Sequence, residues 1–482
     1  MTLSSAINSA KSGLQITSLR ADIAATNVSN ASTPGYVSRA LVVSEKRVGE
    51  SAGGVQAIGI SRSQNYALTA ERRSLSSDYA QADMLTSTWK TISAQIGNSS
   101  EGTGLFKAFS GLESTLSDLA LSPESSSNAS AVLRSAKSVV QEFHALSQMV
   151  NSLRAEADHE IANGVDTVNS ALKTIQDING RLSSMDRSSS QAAGLIDERN
   201  RALDTISEYM PVQAVDRQYG TIDVITPEGV YLLSGTARKI EFSPTAAFSQ
   251  GDTLANGTLS GMTVDGISIT PGSSSYGAVS SGVFGALFTL RDQDLPAVGA
   301  QLDALASDLI TRFSDDALDP TKTPGEQGIF VDSTGAGGIG LASRISVNTA
   351  IDPDQGGGTW RLRDGLGATT PGPTGNTTIL NGLLGAFKSA NPVNSAGIQG
   401  SFSSVEMVAQ FASLAGQSRI QNETVLSSTS SQHAMLLGAE QAQNGVDVDS
   451  QMQDLLLIEQ TYAANARVIE IASQMIQRLM EI

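Results

Sequence analysis

The first candidate for chemistry in this sequence is a glycine-rich segment, GAGGIG, which sets Gly335, Gly337 and Gly340 in the G-x-G-x-x-G spacing. In dinucleotide-binding proteins such a segment joins a strand to a helix, and its backbone N–H groups hold a pyrophosphate. The residues that follow, LASRISVNTAIDP, are rich in β-branched side chains and end at Pro353, so they do not predict that helix. We therefore interpret the segment as a flexible loop and keep a nucleotide-dependent enzyme as an alternative.

Carboxylates supply two further candidates. LIDERNRAL, residues 195–203, gathers acidic and basic side chains on one predicted helix. Opposite charges one helical turn apart commonly pair with each other, so local charge pairing is preferred to acid–base catalysis. DPDQ, which contains Asp352 and Asp354, begins like a calcium-binding loop but lacks the glutamate that such a loop needs later.

Composition restricts the chemistry further. The chain contains no cysteine and only three dispersed histidines, so thiolate sites and a histidine metal cluster are not expected, and neither is any cofactor. A net charge of -17 argues against nucleic-acid binding, which needs a basic surface. There is no secretory signal pattern and no stretch of about 20 apolar residues that would cross a membrane. These features alone would indicate a cytoplasmic protein without membrane insertion.

The elements around these residues are mostly helical, and both ends of the chain show the same periodicity. Steps of four and three residues separate the apolar or small positions near each end, which is the pattern of a heptad seam. The two series are Leu3, Ile7, Ala10, Leu14, Thr17, Ala21, Ala24 and Val28, and Met452, Leu455, Glu459, Tyr462, Ala466, Ile469, Ser473, Ile476 and Met480, with Thr17, Glu459 and Ser473 as exceptions to the pattern. Asp449 or Ser450 is expected to cap the second helix, with Gln453 completing a capping box.

The interior alternates between helical and β patterns. Helices are predicted over 61–97, 105–121, 128–185, 190–208, 283–314 and 402–443. Residues 212–241 alternate apolar and polar side chains around glycine turns and predict a β-meander, which short strands extend to 279. Residues 319–400 are rich in Gly, Pro, Thr and Asn, and we expect loop with a few short strands there.

The segment after the first helix, NVSNASTPGY, resembles the N-terminal signature NNIANANTPGY of bacterial flagellar axial proteins, the rod, hook and hook-associated subunits. NGVDVDSQMQDLLLIEQTYAANARVI is similar to the C-terminal signature of the same proteins, SGVNLDEE followed by Q-x-Y-x-A-x-A, although Ser450 and Gln451 replace the usual acidic pair. LIDERNRALDTISEYMPVQAVDRQYGTIDVITPEGVYLLSG and SGVFGALFTLRDQDLPAVGAQLDALASDLITRF resemble interior segments of the hook-associated protein 1 branch, with Asn200 in place of its usual Asp.

The resemblance implies a mainly α fold with β insertions. Terminal helices would form an N/C coiled-coil inner domain, and a helical-bundle middle domain would carry the β-meander, with the outer β domain reduced or absent. The expected boundaries are 1–44 and 445–482 for the inner domain, 45–314 and 401–444 for the middle domain with its meander at about 212–279, and 315–400 for the Gly-rich reduced outer region.

The resemblance also implies a non-enzymatic structural role at the junction between hook and filament, or alternatively in the hook or rod. Export would use the flagellar type III apparatus, which replaces the cytoplasmic assignment made from composition. Expected partners are hook protein, hook-associated protein 3, copies of the chain in a ring, and an export chaperone on the C-terminal helix. The expected assembly interface comprises Leu3, Ile7, Ala10, Leu14, Ala21, Ala24, Asn27, Val28, Asn30, Pro34, Gly35, Tyr36, Leu455, Leu456, Tyr462, Ala466, Ile469 and Ile476.

Overall fold

Twelve α-helices lie within residues 3–48, 51–97, 102–246 and 248–480, which the computed structural model describes. Several begin at side-chain caps of the kind that satisfies free backbone N–H groups: Asn65 before α2, Ser125 before α4, Ser189 before α5, and a Ser403–Glu406 capping box before α11. A π-helical turn, Leu290–Asp294, joins α6 to α7. The helices are α1 Leu3–Ser29, α2 Tyr66–Ile96, α3 Gly104–Leu121, α4 Ser126–Ser183, α5 Ser190–Tyr209, α6 Gly282–Thr289, α7 Leu295–Ser314, α8 Leu341–Arg344, α9 Arg361–Asp364, α10 Thr378–Lys388, α11 Ser404–Asn444 and α12 Val448–Met480.

The strands of the described residues form small antiparallel sheets. β1 and β2 make a long hairpin; β3 to β6 form a four-stranded sheet in chain order; β7, β8 and β9 form a three-stranded sheet; β10–β11 and β12–β13 are pairs. Both larger sheets fall within the predicted meander region. The strands are β1 Arg39–Val48, β2 Ser51–Arg62, β3 Gln213–Asp216, β4 Ile222–Ile225, β5 Tyr231–Ser234, β6 Thr236–Ala237, β7 Ile240–Glu241, β8 Thr263–Val264, β9 Ile267–Ser268, β10 Phe330–Asp332, β11 Ile345–Val347, β12 Asn391–Ser395 and β13 Ile398–Phe402.

The long helix α4 links two hydrophobic cores. Its first half packs with α3, α7 and α10 around Phe109, Phe143 and Phe387. Its second half packs with α5, α6 and the meander around Ile161 and Phe284. Between the cores, Arg154 Nε donates to the Arg291 carbonyl at 3.0 Å and Asp158 Oδ1 accepts from Arg291 Nη1 at 2.6 Å, so buried polar side chains fix α4 to the π-helical turn.

The terminal helices α1 and α12 pack against each other and run antiparallel. Asn27, near the end of α1, bonds to Gln451 at the start of α12, while Gly13 faces Asn465 further along. A β-carbon at position 13 would approach the Asn465 side chain to 2.8 Å, so the small residue permits the close contact. The predicted fold class, mainly helical with β insertions and paired terminal helices, is confirmed.

Three local predictions differ from the structure. The β1–β2 hairpin was not expected, and its second strand occupies the first residues assigned to a helix at 61–97. Asp447, rather than Asp449 or Ser450, accepts backbone N–H groups at the start of α12. The Gly-rich region 319–400 contains a full helix, α10, whose Leu380 and Phe387 are completely buried. Apolar side chains of that region share the α4 core rather than forming loose loop.

Candidate assembly interface

The contact face of α12 is a heptad seam that differs in part from the predicted one. Leu455 and Ile469 lie on it as expected, but the alternate positions fall one residue earlier, at Ile458, Asn465 and Ala472. A 4–3 pattern can begin with either step, and nothing in the local pattern favours the polar Asn465 inside the seam. Asn465 lies there because Gly13 leaves room for it.

The residues expected at the assembly interface differ in how exposed they are: some are buried, some are half-buried and some are exposed. On α1, Ala10, Ala24 and Asn27 are buried, and the half-buried positions are Leu3, Ile7, Leu14, Ala21 and Val28. In the segment after α1, Asn30 and Tyr36 are half-buried, whereas Pro34 and Gly35 are exposed. On α12, Leu455 and Ile469 are half-buried, whereas the exposed residues are Leu456, Tyr462, Ala466 and Ile476.

A second apolar stripe of α12 is left uncovered by the chain itself. Leu457, Val468, Ile471, Met475 and Leu479 are 43–69% exposed. With Ala464 between the first two, the first four follow steps of seven, four, three and four residues, which place them along one side of the helix. Scattered exposed apolar residues are ordinary, whereas a row of them along one side of a helix is typical of a contact surface.

Asn27 connects the helical pair to the middle region. It is fully buried, and all four hydrogen-bonding positions of its amide are used. Its Nδ2 donates to the Arg39 carbonyl at 2.8 Å and to Gln451 Oε1 at 2.9 Å, while its Oδ1 accepts from Tyr36 Oη at 2.8 Å and from the Arg39 N–H at 3.2 Å. One side chain therefore ties together α1, the following corner, β1 and α12.

The corner after α1 is shaped by the residue types that the sequence presents there. Asn30 Nδ2 donates to the Thr26 carbonyl at 2.9 Å and so caps the end of the helix. Gly35 has φ of +75°, a left-handed conformation that residues with a β-carbon rarely adopt. Tyr36 then turns back onto Asn27 with the Arg39 guanidinium 4.7 Å from its ring centre. Burial raises the pKa of the Tyr36 hydroxyl, which therefore stays protonated as the donor to Asn27.

A buried ionic cluster fixes the β1–β2 hairpin to α5. Asp197 accepts from Arg39 Nη2 at 2.6 Å and also from Arg62 Nη2, and all three side chains are at least nine-tenths buried. The expectation that Asp197 pairs locally along its own helix is wrong, because its partners come from 158 and 135 residues away in the chain. The hairpin presents both arginines together since Arg39 and Arg62 are cross-strand partners.

A second tie, at the end of α11, was not foreseen. The Asn444 carbonyl accepts from the Ser38 N–H at 2.9 Å, and its Oδ1 accepts from the Asn65 N–H at 2.8 Å. Asn444 is buried and thus joins α11 to the corner and to the start of α2. The sequence feature that could have indicated this role is the position of Asn444 at the predicted helix end, directly before a glycine. Nearby, Arg72 bonds to both Asp204 and Glu440, which links α2, α5 and α11.

Backbone N–H groups in and beside the GAGGIG loop already donate to carboxylates of this chain. The loop lies between β10 and the four-residue helix α8. Asp332 accepts from the Gly337 N–H at 2.8 Å, and Asp303 accepts from the Gly340 and Ala342 N–H groups at 2.8 Å each. These carboxylates take the donors that a phosphate would need and would repel it. The loop is therefore built for internal structure, not for a nucleotide.

The remaining chemical candidates also have structural partners. Asp352 and Asp354 lie 2.8 and 3.5 Å from the Lys137 ammonium. His144 contacts the Ile345 carbonyl at 2.8 Å. Among the described residues no group of three or more His, Asp or Glu side chains could hold a metal ion. Over the same residues, no helix is both long and apolar enough to span a membrane.

Comparison with known proteins adds an independent observation. Residues 92–328 match the family model of the flagellar hook-associated protein FlgK helical domain. The chain is similar to flagellar hook-associated protein 1 of Bacillus subtilis strain 168, with 22% identity over 95% of this chain and 94% of that protein. It is 23% identical to flagellar hook-associated protein 1 of Escherichia coli K12 and of Salmonella typhimurium LT2, over 63% of this chain but only 55% of each relative. Among solved structures, the flagellar hook junction protein FlgK from Burkholderia pseudomallei aligns with a TM-score of 0.44 and 20% identity, over 54% of this chain and 46% of that one.

Proposed function

This chain belongs to the flagellar hook-associated protein 1 family, and from that membership we propose that it forms the hook–filament junction on which a flagellar filament is assembled. The role is structural and not enzymatic, and its place is the bacterial flagellum. Because the matched part spans only about half of the Escherichia coli and Salmonella relatives, the function of those whole proteins comes to this chain as part of the proposal.

The observation that carries the proposal is the uncovered stripe of α12. α1 covers one side of α12, yet Leu457, Val468 and Ile471 remain largely exposed on the other. Burying such side chains stabilises by roughly 1.5–3 kcal/mol each, so an assembled state gains substantially over the isolated chain. We assign this stripe to contacts with neighbouring subunits in the inner tube of the assembly. Leu456, Tyr462 and Ile476 are exposed on other faces of α12 and are proposed as further contacts.

The corner at 30–37 gives the assembled helices a defined attachment. Asn27 holds α1, α12 and β1 together through four hydrogen bonds, so force on the helical pair passes to the middle region through a fixed joint. Exposed Pro34 and Gly35 lie on the outside of this joint, where a neighbouring subunit can contact them. Hook protein on one side, hook-associated protein 3 on the other, and further copies of the chain are the proposed partners.

Export is proposed to follow the flagellar type III route. A chain without cysteine forms no disulfide that would block passage unfolded. Before assembly the apolar stripe of α12 needs a cover. We propose that α12 binds as an amphipathic helix in the groove of an export chaperone, and that this groove covers the stripe.

Electron microscopy of cells from which the gene is deleted tests the proposal. Bare hooks without filaments, with filament subunits released into the medium, are the expected result. Absent hooks would assign the chain to the rod or hook instead. Filaments attached at wild-type frequency would overturn the proposal, provided that the genome holds no second copy of the gene.

A further inference from the structure

Two helical segments cross the boundary between the two hydrophobic cores, and both carry buried charge at the crossing point. On α4 the buried apolar residues of the first core end at Val150 and those of the second begin at Ala157, with Arg154 between them. The π-helical turn Leu290–Asp294 marks the same boundary between α6 and α7, and it carries Arg291. The two arginines are 1% and 0% exposed. Buried charges therefore occupy the place where both segments pass from one core to the other.

A long surface connection begins beside this boundary. Residues 242–262, between β7 and β8, contain no helix or strand among those that the structure describes. Connections longer than about 12–15 residues without secondary structure are uncommon in compact domains, and those that are ordered usually have a function. We call residues 248–260 of this connection the strap. All of its residues except Leu259 are exposed or half-buried, so apolar burial contributes little to holding it in place.

The two buried arginines hold the strap to both crossing segments. The Arg154 guanidinium donates to the Gln250 carbonyl at 3.2 Å and to the Asp252 carbonyl at 2.6 Å. At the other end of the strap, Arg291 Nη2 donates to the Ser260 carbonyl at 3.0 Å. Hydrogen bonds from charged donors are among the strong ones in proteins. The strap is therefore fastened to α4 and to the π-helical turn through its own backbone.

One side chain of the strap reaches from the second core to the first. β7 and β8, which the strap connects, pack in the second core. The Gln250 side chain lies beside α7 and the GAGGIG loop, because β-carbons added at Gly299 and Gly340 would approach it to 2.9 and 3.1 Å. The neighbours of these glycines, Val298 and Leu341, are buried in the first core. The strap thus spans both cores, and the GAGGIG loop is one of its contacts.

The energetics of the boundary make the strap releasable. Burial is the main cause that lowers the pKa of Arg154, so desolvation of its charge opposes the closed arrangement. On α4 just before Arg154, Ser147 Oγ and Asn151 Oδ1 are buried without a hydrogen-bond partner, which also costs free energy. Exposed segments that bury few apolar side chains open at a lower free energy than core helices do.

We propose that the strap is a latch that holds the two cores as one rigid unit, and that its release lets the cores move relative to each other about the π-helical turn. Helices bend at π-helical turns, because the regular hydrogen bonding is interrupted there. While the strap is closed, Arg154 and Arg291 fix this turn; when it opens, the carbonyls of the strap bond to water instead. This is a property of the single chain, so its tests are independent of the proposed junction role.

Hydrogen exchange of the purified full chain, followed by mass spectrometry, tests the latch. Arg154→Met keeps a long side chain without the charge, and the amides of residues 248–260 should lose protection at least about tenfold. Amides of α3 and α5 should keep their protection within about threefold, because the cores stay folded. Arg134→Met, which replaces an exposed arginine of the same helix, should change neither. Unchanged protection of the strap, or an equal loss in strap and cores, would overturn the inference.

Energy transfer between two dyes in single molecules tests the motion itself. The chain has no cysteine, so Leu121→Cys and Tyr276→Cys place one dye near each core. These positions are 81% and 73% exposed. The unlatched chain should populate a second dye distance that the latched chain rarely visits.

Gln250→Ala is the decisive variant, because it removes the contact with the first core and leaves the buried arginines in place. The population of the second dye distance should rise about fivefold in Gln250→Ala and more in Arg154→Met. Gln218→Ala, at an exposed glutamine between β3 and β4, is the matched control and should leave the distances unchanged. A single unchanged distance in both strap variants would mean that the cores are rigid without the latch, and would overturn the inference.

Discussion

Replacing Asp197 with asparagine should detach the β1–β2 hairpin from α5. The substitution keeps the shape of the side chain but removes the charge that both Arg39 and Arg62 share. The arginine side chains are 9% and 7% exposed, so water cannot replace the lost carboxylate. Removing one partner of a buried ion pair costs about 3–5 kcal/mol, and we expect about 4 kcal/mol here, which is a factor of roughly 1,000 in the opening equilibrium of the hairpin.

Hydrogen exchange of the purified full chain, followed by mass spectrometry, measures this opening directly. Amides of residues 39–62 should lose protection by up to about a thousandfold in Asp197→Asn, while those in the middle of α4 keep theirs, because local opening need not unfold the cores. Glu198→Gln is the matched control: it lies next in the chain, is exposed, and should change protection only within about 0.5 kcal/mol.

A rescue variant completes the test of Asp197. Replacing the whole cluster with apolar residues (Asp197→Leu, Arg39→Met and Arg62→Met) removes the unpaired charges and should recover most of the lost protection. Equal protection in Asp197→Asn and Glu198→Gln would refute the reasoning, since it would mean that the carboxylate does not hold the hairpin.

Two further perturbations follow from the same structure. Asn27→Ala removes four hydrogen bonds of about 1 kcal/mol each, so exchange protection of the α1–α12 pair should fall at least about 100-fold. Asn30→Ala should lower the protection of the same pair much less. Equal losses of protection in the two variants would contradict the central role of Asn27. His433 stacks on Tyr79, and burial together with Arg72 lowers its pKa. Because the folded pKa lies below the unfolded value, the α2–α11 pair should lose stability as pH falls below about 6.5 toward the folded pKa; His433→Phe should weaken this pH dependence in exchange measurements at pH 5 and 7, and an unchanged dependence would count against it.

Local sequence pattern predicted much of the helical framework, because the apolar residues of an amphipathic helix recur every three or four positions in the sequence. The steps of three and four residues indicated α1 and α12, and the structure extends them over Leu3–Ser29 and Val448–Met480. Asn, Pro and Gly after α1 indicated a corner, since these residues act on the backbone immediately beside them. Whether the expected interface residues contact other subunits stays a prediction, as do the domain boundaries.

Local pattern failed where a side chain is decided by a distant partner. Gln451 departs from the acidic residue of the flagellar signature, yet it accepts the Asn27 amide, a role that a carboxylate would also fill. Asn465 would be read as a surface residue, but it lies in the seam opposite Gly13. The sequence of β1 and β2 does not by itself predict a hairpin, because these strands depend on contacts with α1 and α5 for their burial.

The sequence by itself determined the long helices, the region of the β-meander and the place of the terminal corner, but not the β1–β2 hairpin or α10. Only the tertiary structure decided that Asp197 pairs with Arg39 and Arg62 and that Asn27 joins four segments. The reason is physical. Hydrophobic periodicity acts over one or two helical turns and is written in adjacent residues. A buried charge or amide is satisfied by the groups that folding brings within hydrogen-bond distance. Gln451 lies more than a hundred residues from Asn27, and Arg39 and Arg62 lie more than a hundred residues from Asp197.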